Sequence, residues 1–362
     1  MWAIIILLMI SAVIIGFVFL ISRIIKFSFI KNLSIGRVAK TLISTSILLL
    51  SFALFFIIGG FMNAMVIFLH FVIIWAISDF IANIYRKIKK CDRKKYISGA
   101  VAIIVTVIYL CYGIFSAFYV FRTEYNIKTN KNIGTDNLKI VGFSDSHIGV
   151  TLNHKDIEKC VEKINAEKPD IVVIVGDYID DGTTLSELEK SSKALKKLTP
   201  RYGTYYVFGN HDAGYGKREY DRDDLVFNLR KNNVSVLEDD VVKITDKISL
   251  IGRKDRQSAD RLMPNDFGIE KNNYNIVLDH QPYDFENLEK SGVDLVISGH
   301  THGGQMIPIN RVGRIIGEND MTYGHEKRSS TDFIVSSGIS NWELYFKTGC
   351  ISEYFVINLT SK

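Results

Sequence analysis

The first 121 residues carry only two acids, Asp79 and Asp92, in a stretch that is otherwise almost wholly apolar or basic. Such a stretch cannot be divided into a buried and a wetted face, so lipid is the solvent that accepts it. Residues 2–22 form an uncharged 21-residue run, about 30 Å long as a helix and enough for one crossing. No basic residue precedes the run, and it exceeds the ~7–15-residue core of a cleaved signal peptide. The 45 residues 41–85 would make a helix about twice the bilayer thickness. They read as two spans, 41–58 and 61–85, broken near Gly59-Gly60. A fourth span covers 97–121.

Charge gives these spans an expected orientation. The loop 23–40 carries Arg23, Lys26, Lys31, Arg37 and Lys40 with no acid, and the loop 86–96 carries seven basic residues with one acid. Basic loops stay on the cytoplasmic side. The N-terminus and everything after the fourth span are therefore expected outside, in a multi-pass protein of the plasma membrane. His70 and Asp79 lie inside apolar stretches; Asp79 is near the cytoplasmic end of its span and is expected to reach the interface. No paired intramembrane charges are evident, which argues against a transporter.

Of the chain's 44 Lys+Arg and 39 Asp+Glu, twelve and two fall in residues 1–121. The remaining 32 and 37 leave residues 122–362 at a net −5, which excludes a general nucleic-acid binder. The cysteines, Cys91, Cys111, Cys160 and Cys350, have no C-x-x-C spacing, so neither a zinc knuckle nor a disulfide scaffold is supported. Cys160 and Cys350 are the pair able to bridge outside the cytosol. Residues 122–136 are polar and read as a linker, and residues 137–362 as one globular domain. Within it, apolar runs at 138–143, 171–175, 204–208, 248–252, 275–278 and 294–297 predict buried strands, with further strands at 332–337 and 351–359. Ile157, Cys160, Val161 and Ile164 share one helical face. Leu185, Leu188, Leu195 and Leu198 predict a second helix, and Leu225, Val226 and Leu229 a third. The alternation predicts an α/β fold.

Chemically capable residues stand directly after the strands. Asp145 and His147 lie in GFSDSHIG, Asp177 in GDYID, and Asn210, His211 and Asp212 in GNHD. His280 lies in DHQP, and His300 and His302 in SGHTHGG. Ligands gather at the carboxyl ends of strands in open α/β sheets, so five segments are expected to converge on one crevice. Two Asp, one Asn and four His are too many for one ion. Two ions sharing a carboxylate fit, a recurring solution for hydrolysing phosphoesters. Nitrogen and oxygen ligands without thiolate suit Mn, Fe or Zn. His154 and His325 fall outside the pattern and read as surface residues.

D-x-H, G-D, G-N-H-[DE], H and G-H-x-H in this order resemble the calcineurin-like metallophosphoesterase superfamily over roughly residues 138–359. SGHTHGGQ with four preceding spans is similar to its membrane-anchored bacterial branch, which resembles enzymes cleaving the pyrophosphate of UDP-diacylglucosamine. The resemblance implies a two-sheet sandwich flanked by helices. It also implies one metal on Asp145, His147 and His302, and a second on Asn210, His280 and His300. Asp177 would bridge the two, and His211 would stand beside them as an acid or a phosphate-oxygen stabiliser. Where that branch often has a Pro- and Arg-containing loop, this chain has SNWELYFKTG.

The expected function is a membrane-anchored, two-metal phosphodiesterase or pyrophosphatase acting on a lipid-linked or envelope phosphoester. Trp342 and Phe346, beside Lys347, are the candidates for an apolar rim touching the substrate, as is the run 306–309. The alternatives are a pyrophosphatase of the UDP-diacylglucosamine type and a sensor that binds ligand without turnover; the intact ligand set weighs against the latter. Oligomeric state is not readable from the chain.

Overall fold

The computed structural model describes residues 2–90, 96–214, 216, 218–307 and 309–361. Cys91 and part of the basic loop 86–96 lie outside the described residues. The chain divides into two compact units, Met1–Gly113 with Glu343–Tyr345, and Ile114–Trp342 with Phe346–Lys362.

The first unit is helical: α1 (Trp2–Ile24), α2 (Ser28–Lys31), α3 (Arg37–Lys89) and most of α4 (Ile97–Phe118). Among the described residues, two helices are long and apolar enough to cross a membrane, α3 and α4, with a shorter apolar stretch at Ile10–Ile24. The four separate spans expected are thus not seen as four. Residues 41–85 lie in one 53-residue helix, interrupted at Gly60 by φ 76°, ψ 176°. That conformation is open to glycine and strained for anything else. Leu20, Ile24, Leu48, Phe68 and Trp75 form the helical core. Asp79 lies in the last third of α3. It is buried and paired with Arg23 at 2.7 Å. It also accepts from Tyr96 (3.0 Å) and Ser98 (2.7 Å), while Trp75 donates to the Tyr96 hydroxyl. A charge in an apolar helical unit persists when its partner and hydrogen bonds are supplied locally, as here.

The second unit is a pair of six-stranded sheets. One has the order β1 (Val120–Thr129), β12 (Ser352–Ser361), β2 (Asn137–Phe143), β3 (Ile171–Val175), β4 (Thr204–Val207), β5 (Val234–Leu237). The other runs β10 (Gly324–Arg328), β11 (Thr331–Val335), β9 (Leu295–Ser298), β8 (Tyr274–Leu278), β7 (Ile248–Gly252), β6 (Asp240–Thr245). In the first sheet β2–β3–β4–β5 are parallel, as are β7–β8–β9 in the second. Their carboxyl ends therefore stand together within each sheet.

Strand β3 shows why the central strands read as unbroken apolar runs. Ile171, Val173 and Val175 point into the core between the sheets, with Ile140, Leu250, Ile276 and Ile297. Val172 and Ile174 point the other way, under α5 (His154–Ala166), α6 (Leu185–Leu195) and α7 (Arg222–Lys231). Helix α8 (Phe285–Ser291) covers the outer face of the second sheet through Phe285 and Leu288. The result is the expected α/β sandwich flanked by helices, and a strand buried on both faces carries no alternation. The helices carry their own start signals: Asn153 and Asp156 make a reciprocal capping box on α5, as Asp221 and Asp224 do on α7.

Residues 122–136, read as a linker, are structured through Thr129. They form β1, which pairs in parallel with β12 over ten residues. Cys160 and Cys350 are both free thiols, so the disulfide is not formed.

Candidate metal centre

The site is built where strands of both sheets end. Asp145 and His147 follow β2, Asp177 follows β3, Asn210 and His211 follow β4, His280 follows β8, and His300 and His302 follow β9. The turns are sharp. Asp145, His147, Asp177, His300 and His302 all have positive φ, between 35° and 69°. Each such residue costs on the order of 1–3 kcal/mol, which the surrounding structure must over-determine. Asp212 does much of that. Its buried carboxylate accepts the N–H groups of Asp177 (2.7 Å), Tyr178 (2.9 Å), Ile179 (3.1 Å) and Gly209 (2.8 Å). The close approach fixes Gly209 as glycine, because a Cβ there would lie 2.1 Å from Asp177 Oδ1.

Of three clusters of metal-capable side chains among the described residues, one joins His147 to Asp180 and His211, and the other two are made of motif residues. Asp145, His147 and His302 place ligand atoms within 4.8 Å of one another, as do Asp177, His280 and His300. Asp177 lies toward both, with Oδ2 3.1 Å from His280 Nε2 and 3.6 Å from His147 Nε2. Its other oxygen accepts the His211 N–H at 2.8 Å. Asp145 accepts the His300 N–H at 2.9 Å, tying the two sheets together at the site. Asn210 is buried between Gly209 and His211. His211 sets its ring edge-on to His147, centroids 4.9 Å apart, and 5.7 Å from the ring of Trp342.

Hydrogen bonds fix which ring nitrogens face inward. Asp180 holds His147 Nδ1 at 2.7 Å, and the Val175 carbonyl holds His280 Nδ1 at 2.9 Å. Those oxygens only accept, so Nδ1 donates in both rings and Nε2 is the atom turned to the site. His147 Nε2 faces His302 Nε2 at 3.2 Å, and His280 Nε2 faces the Asp177 carboxylate. His302 Nε2–H can donate to the His147 Nε2 lone pair, whereas His280 Nε2 against the carboxylate calls for a proton or a cation between them.

The titration behaviour agrees. Burial opposes charge on His280, but Asp177 outweighs it and holds the imidazole well above its ordinary range. Burial likewise opposes charge on His147, and the Asp180 bond overcomes it. His300 is pushed down to about 3 by burial and then by His280. His302 is also pushed down, by burial, His147 and Lys347. Asp177 stays below the usual carboxylate range: burial pushes it up, but His280, His147 and His211 outweigh burial. Asp145 is pushed up by burial and by Asp177.

A family model described as calcineurin-like phosphoesterase matches residues 138–304. An uncharacterized metallophosphoesterase of Campylobacter jejuni is 33% identical over 233 residues, covering 62% of this chain and 60% of its own length. One of Aquifex aeolicus is 32% identical over 230 residues, covering 61% of this chain and 85% of its own. The chain belongs to the calcineurin-like phosphoesterase family. A zebrafish protein of this family, named a transmembrane protein with metallophosphoesterase domain, is 29% identical over 226 residues, covering 58% of this chain and 50% of its own. The chain thus spans about 60% of the Campylobacter relative.

Calcineurin-like phosphoesterases act with metals, and the donors here fit a pair of divalent cations: inward-facing imidazole nitrogens around two buried carboxylates. Thiolate is not among them. The Cys350 Sγ–H is turned instead to the His302 carbonyl, 2.9 Å away.

Several residues of the site were not legible in the motifs. Asp180, which orients His147, stands three residues beyond Asp177 in the same turn, and that spacing was the available signal. Arg218 clasps the His211–Asp212 turn, donating to both carbonyls, and also reaches Asp181 at 3.2 Å. Arg253, only 2% exposed, bonds Asp279 (3.1 Å) and Asp284 (3.0 Å) and so braces the turn that carries His280. Asp212, the residue after His211, commits its carboxylate to backbone amides instead of to the neighbouring ring. Asp180 lies closer to that role, 4.0 Å from His211 Nδ1. Of the two apolar rim candidates, Trp342 is 41% exposed beside His211, whereas Phe346 is buried and belongs to the packing. His154 and His325 lie outside the site, paired with Glu187 and Asp332.

Proposed function

We infer that this chain is a membrane-anchored phosphoester hydrolase working with two divalent metals. Asp145, His147 and His302 would hold one metal, and Asn210, His280 and His300 the other, with Asp177 shared. The observation that carries the reading is the pair of inward nitrogens, on His147 and His280, each locked in place by an acceptor behind it. When bound, such metals stabilise charge on a phosphoryl group and make hydroxide available near neutral pH.

The chain's own residues supply the rest. Asp180 and the Val175 carbonyl hold the two imidazoles in the tautomer that binds. His211, tethered through its backbone to Asp177, has burial working against its charged form. It is placed to give a proton to a departing alkoxide or to steady a phosphate oxygen. Trp342 offers an apolar face beside it.

The substrate is proposed to be a phosphodiester or pyrophosphate in, or next to, the bilayer. Helix α3 supports the anchoring: 53 residues are about 80 Å of helix, more than twice a bilayer, and Gly60 breaks it near its middle. Two crossings from α3, with α1 and α4, make four, and the basic loops favour the N-terminus and the catalytic unit outside. Hydrolysis of bis(p-nitrophenyl) phosphate by the full chain tests the activity. Turnover should appear with Mn²⁺, Fe²⁺ or Zn²⁺ and vanish with chelator. Metal binding with no turnover of any diester would make the chain a sensor.

A further inference from the structure

Residues 305–317, which follow the last two histidines of the site, expose an unusual amount of apolar surface. Ile307 (49%), Val312, Ile315 and Ile316 all stand in solvent. At 79% exposure Ile315 is the most exposed large apolar residue among those described. Elsewhere on the second unit, apart from Ile114, Phe115, Phe118 and Tyr119 at and just after the end of α4, such residues are scattered singly, as at Phe227, Val241 and Met263. Single exposed apolar residues need no explanation; four within ten positions do. The same segment contains Arg311 and Arg314 and no acid. Arg314 approaches Glu326 only to 3.9 Å and remains mostly exposed.

Apart from Pro308, which lies outside the described residues, the segment is held by hydrogen bonds. Its root is fixed by Thr348 and Gly349, whose N–H groups donate to the Gln305 carbonyl at 2.9 and 3.1 Å. The Ile307 N–H donates to Thr348 Oγ1, and Gln305 Nε2 to the Trp342 carbonyl. The chain then folds back on Gly304, where a Cβ would lie 2.1 Å from the Asn310 carbonyl oxygen. Val312–Ile315 make one helical turn, α9, and Glu318 returns an N–H to Gly313 at 2.9 Å. Asp320 then bonds the Pro282 carbonyl, two residues from His280. Both ends of the segment are thus anchored beside metal-site histidines, while its apolar side chains are kept out of the core.

We propose that residues 305–317 are an interfacial element: Ile307, Val312, Ile315 and Ile316 enter the headgroup–acyl boundary of a bilayer, and Arg311 and Arg314 engage lipid phosphates. An acid-free, cationic and apolar element is what such a surface retains. The chain keeps a bilayer within reach, because only Tyr119 separates the apolar helix α4 from β1. This deepens the membrane-anchored reading above and rests on it. The element takes the place beside the site at which a lipid phosphoester, rather than a soluble one, is delivered.

The test uses the full chain, its four cysteines replaced by serine, in vesicles of phosphatidylethanolamine and phosphatidylglycerol. An environment-sensitive fluorophore is attached at Ile315→Cys and, as a control, at Phe227→Cys. The probe at 315 should emit at shorter wavelength and be quenched severalfold more by doxyl-labelled lipid than the probe at 227. Because the cysteine-free chain is a heavy alteration, a second measurement uses the native chain with Ile315→Asp and Ile316→Asp. Its hydrolysis of a diacylglycerol p-nitrophenyl phosphodiester in vesicles should fall at least tenfold, with bis(p-nitrophenyl) phosphate turnover unchanged. Equal rates on both substrates, or a probe at 315 as water-exposed as that at 227, overturn the inference. Blue-shifted emission without lipid quenching would mark a protein contact and also overturn it. A chain that fails to float with vesicles overturns the membrane-anchored reading itself, whereas one that floats with a wet 315 probe overturns the interfacial element alone.

Discussion

At the residue scale, three carboxylates with different surroundings do different work. Asp177 is proposed to be shared between the two metals, so Asp177→Asn should lower metal content and reduce hydrolysis by orders of magnitude with the fold intact, as read by metal analysis beside circular dichroism. Asp180 bonds the outer nitrogen of His147 and acts through that ring. Asp180→Asn should weaken metal affinity about 10–100-fold, the usual worth of such a supporting bond, and a competitive chelator titration measures it. Asp212 bonds four amides that hold strained turns, so its loss should lower thermal stability as well as activity. His211 differs from the other histidines. His211→Gln should keep both metals while losing on the order of 10²–10⁴-fold in rate, more for poor leaving groups than for nitrophenyl esters. Collapse of metal occupancy would make it a ligand instead. Metal loading must also displace the protons that Asp177 and Asp180 keep on His280 and His147. Calorimetry in buffers of different ionisation enthalpy should therefore show proton release, and affinity should fall as pH drops.

At the scale of elements, what could be read from the chain depended on how much of an element's environment is local. Strands β2, β3, β7, β8 and β9 are buried on both faces, so their apolar runs announce them. Helix α5 buries Ile157, Cys160, Val161 and Ile164, the face its periodicity marks. Strand β1 was hidden because its sequence, VFRTEYNIKT, is mostly polar, and it becomes a strand only by pairing with β12 more than 220 residues away. The metal-site residues were legible because each follows a strand. Asp180, Arg218 and Arg253 were not, since their work is to hold backbone and side chains brought together by folding. In the helical unit, the Arg23–Asp79 pair joins α1 to α3, and Ser98 adds α4. Asp79→Ala leaves a half-buried guanidinium without its carboxylate and should cost about 3–5 kcal/mol if fully desolvated, less as water reaches Arg23. Replacing both, Arg23→Met with Asp79→Leu, should be milder. Thermal unfolding of the three chains in one detergent checks the order.

At the scale of the whole molecule, the central claim is that a chain with lipid-compatible helices carries a two-metal hydrolase of the calcineurin-like family. The outward location proposed for that unit rests on the charge of the loops 23–40 and 86–96. A cysteine at the exposed position Lys193, with Cys91 and Cys111 replaced, should react with an impermeant thiol reagent in intact cells; labelling only after permeabilisation would place the catalytic unit inside. The claim itself is tested most directly by counting metals against turnover. The full chain, stripped with chelator and reloaded, should bind two divalent ions per chain, with bis(p-nitrophenyl) phosphate hydrolysis rising as the second ion binds and disappearing on chelation. Hydrolysis that survives chelation, or saturation at a single ion with full activity, would contradict it.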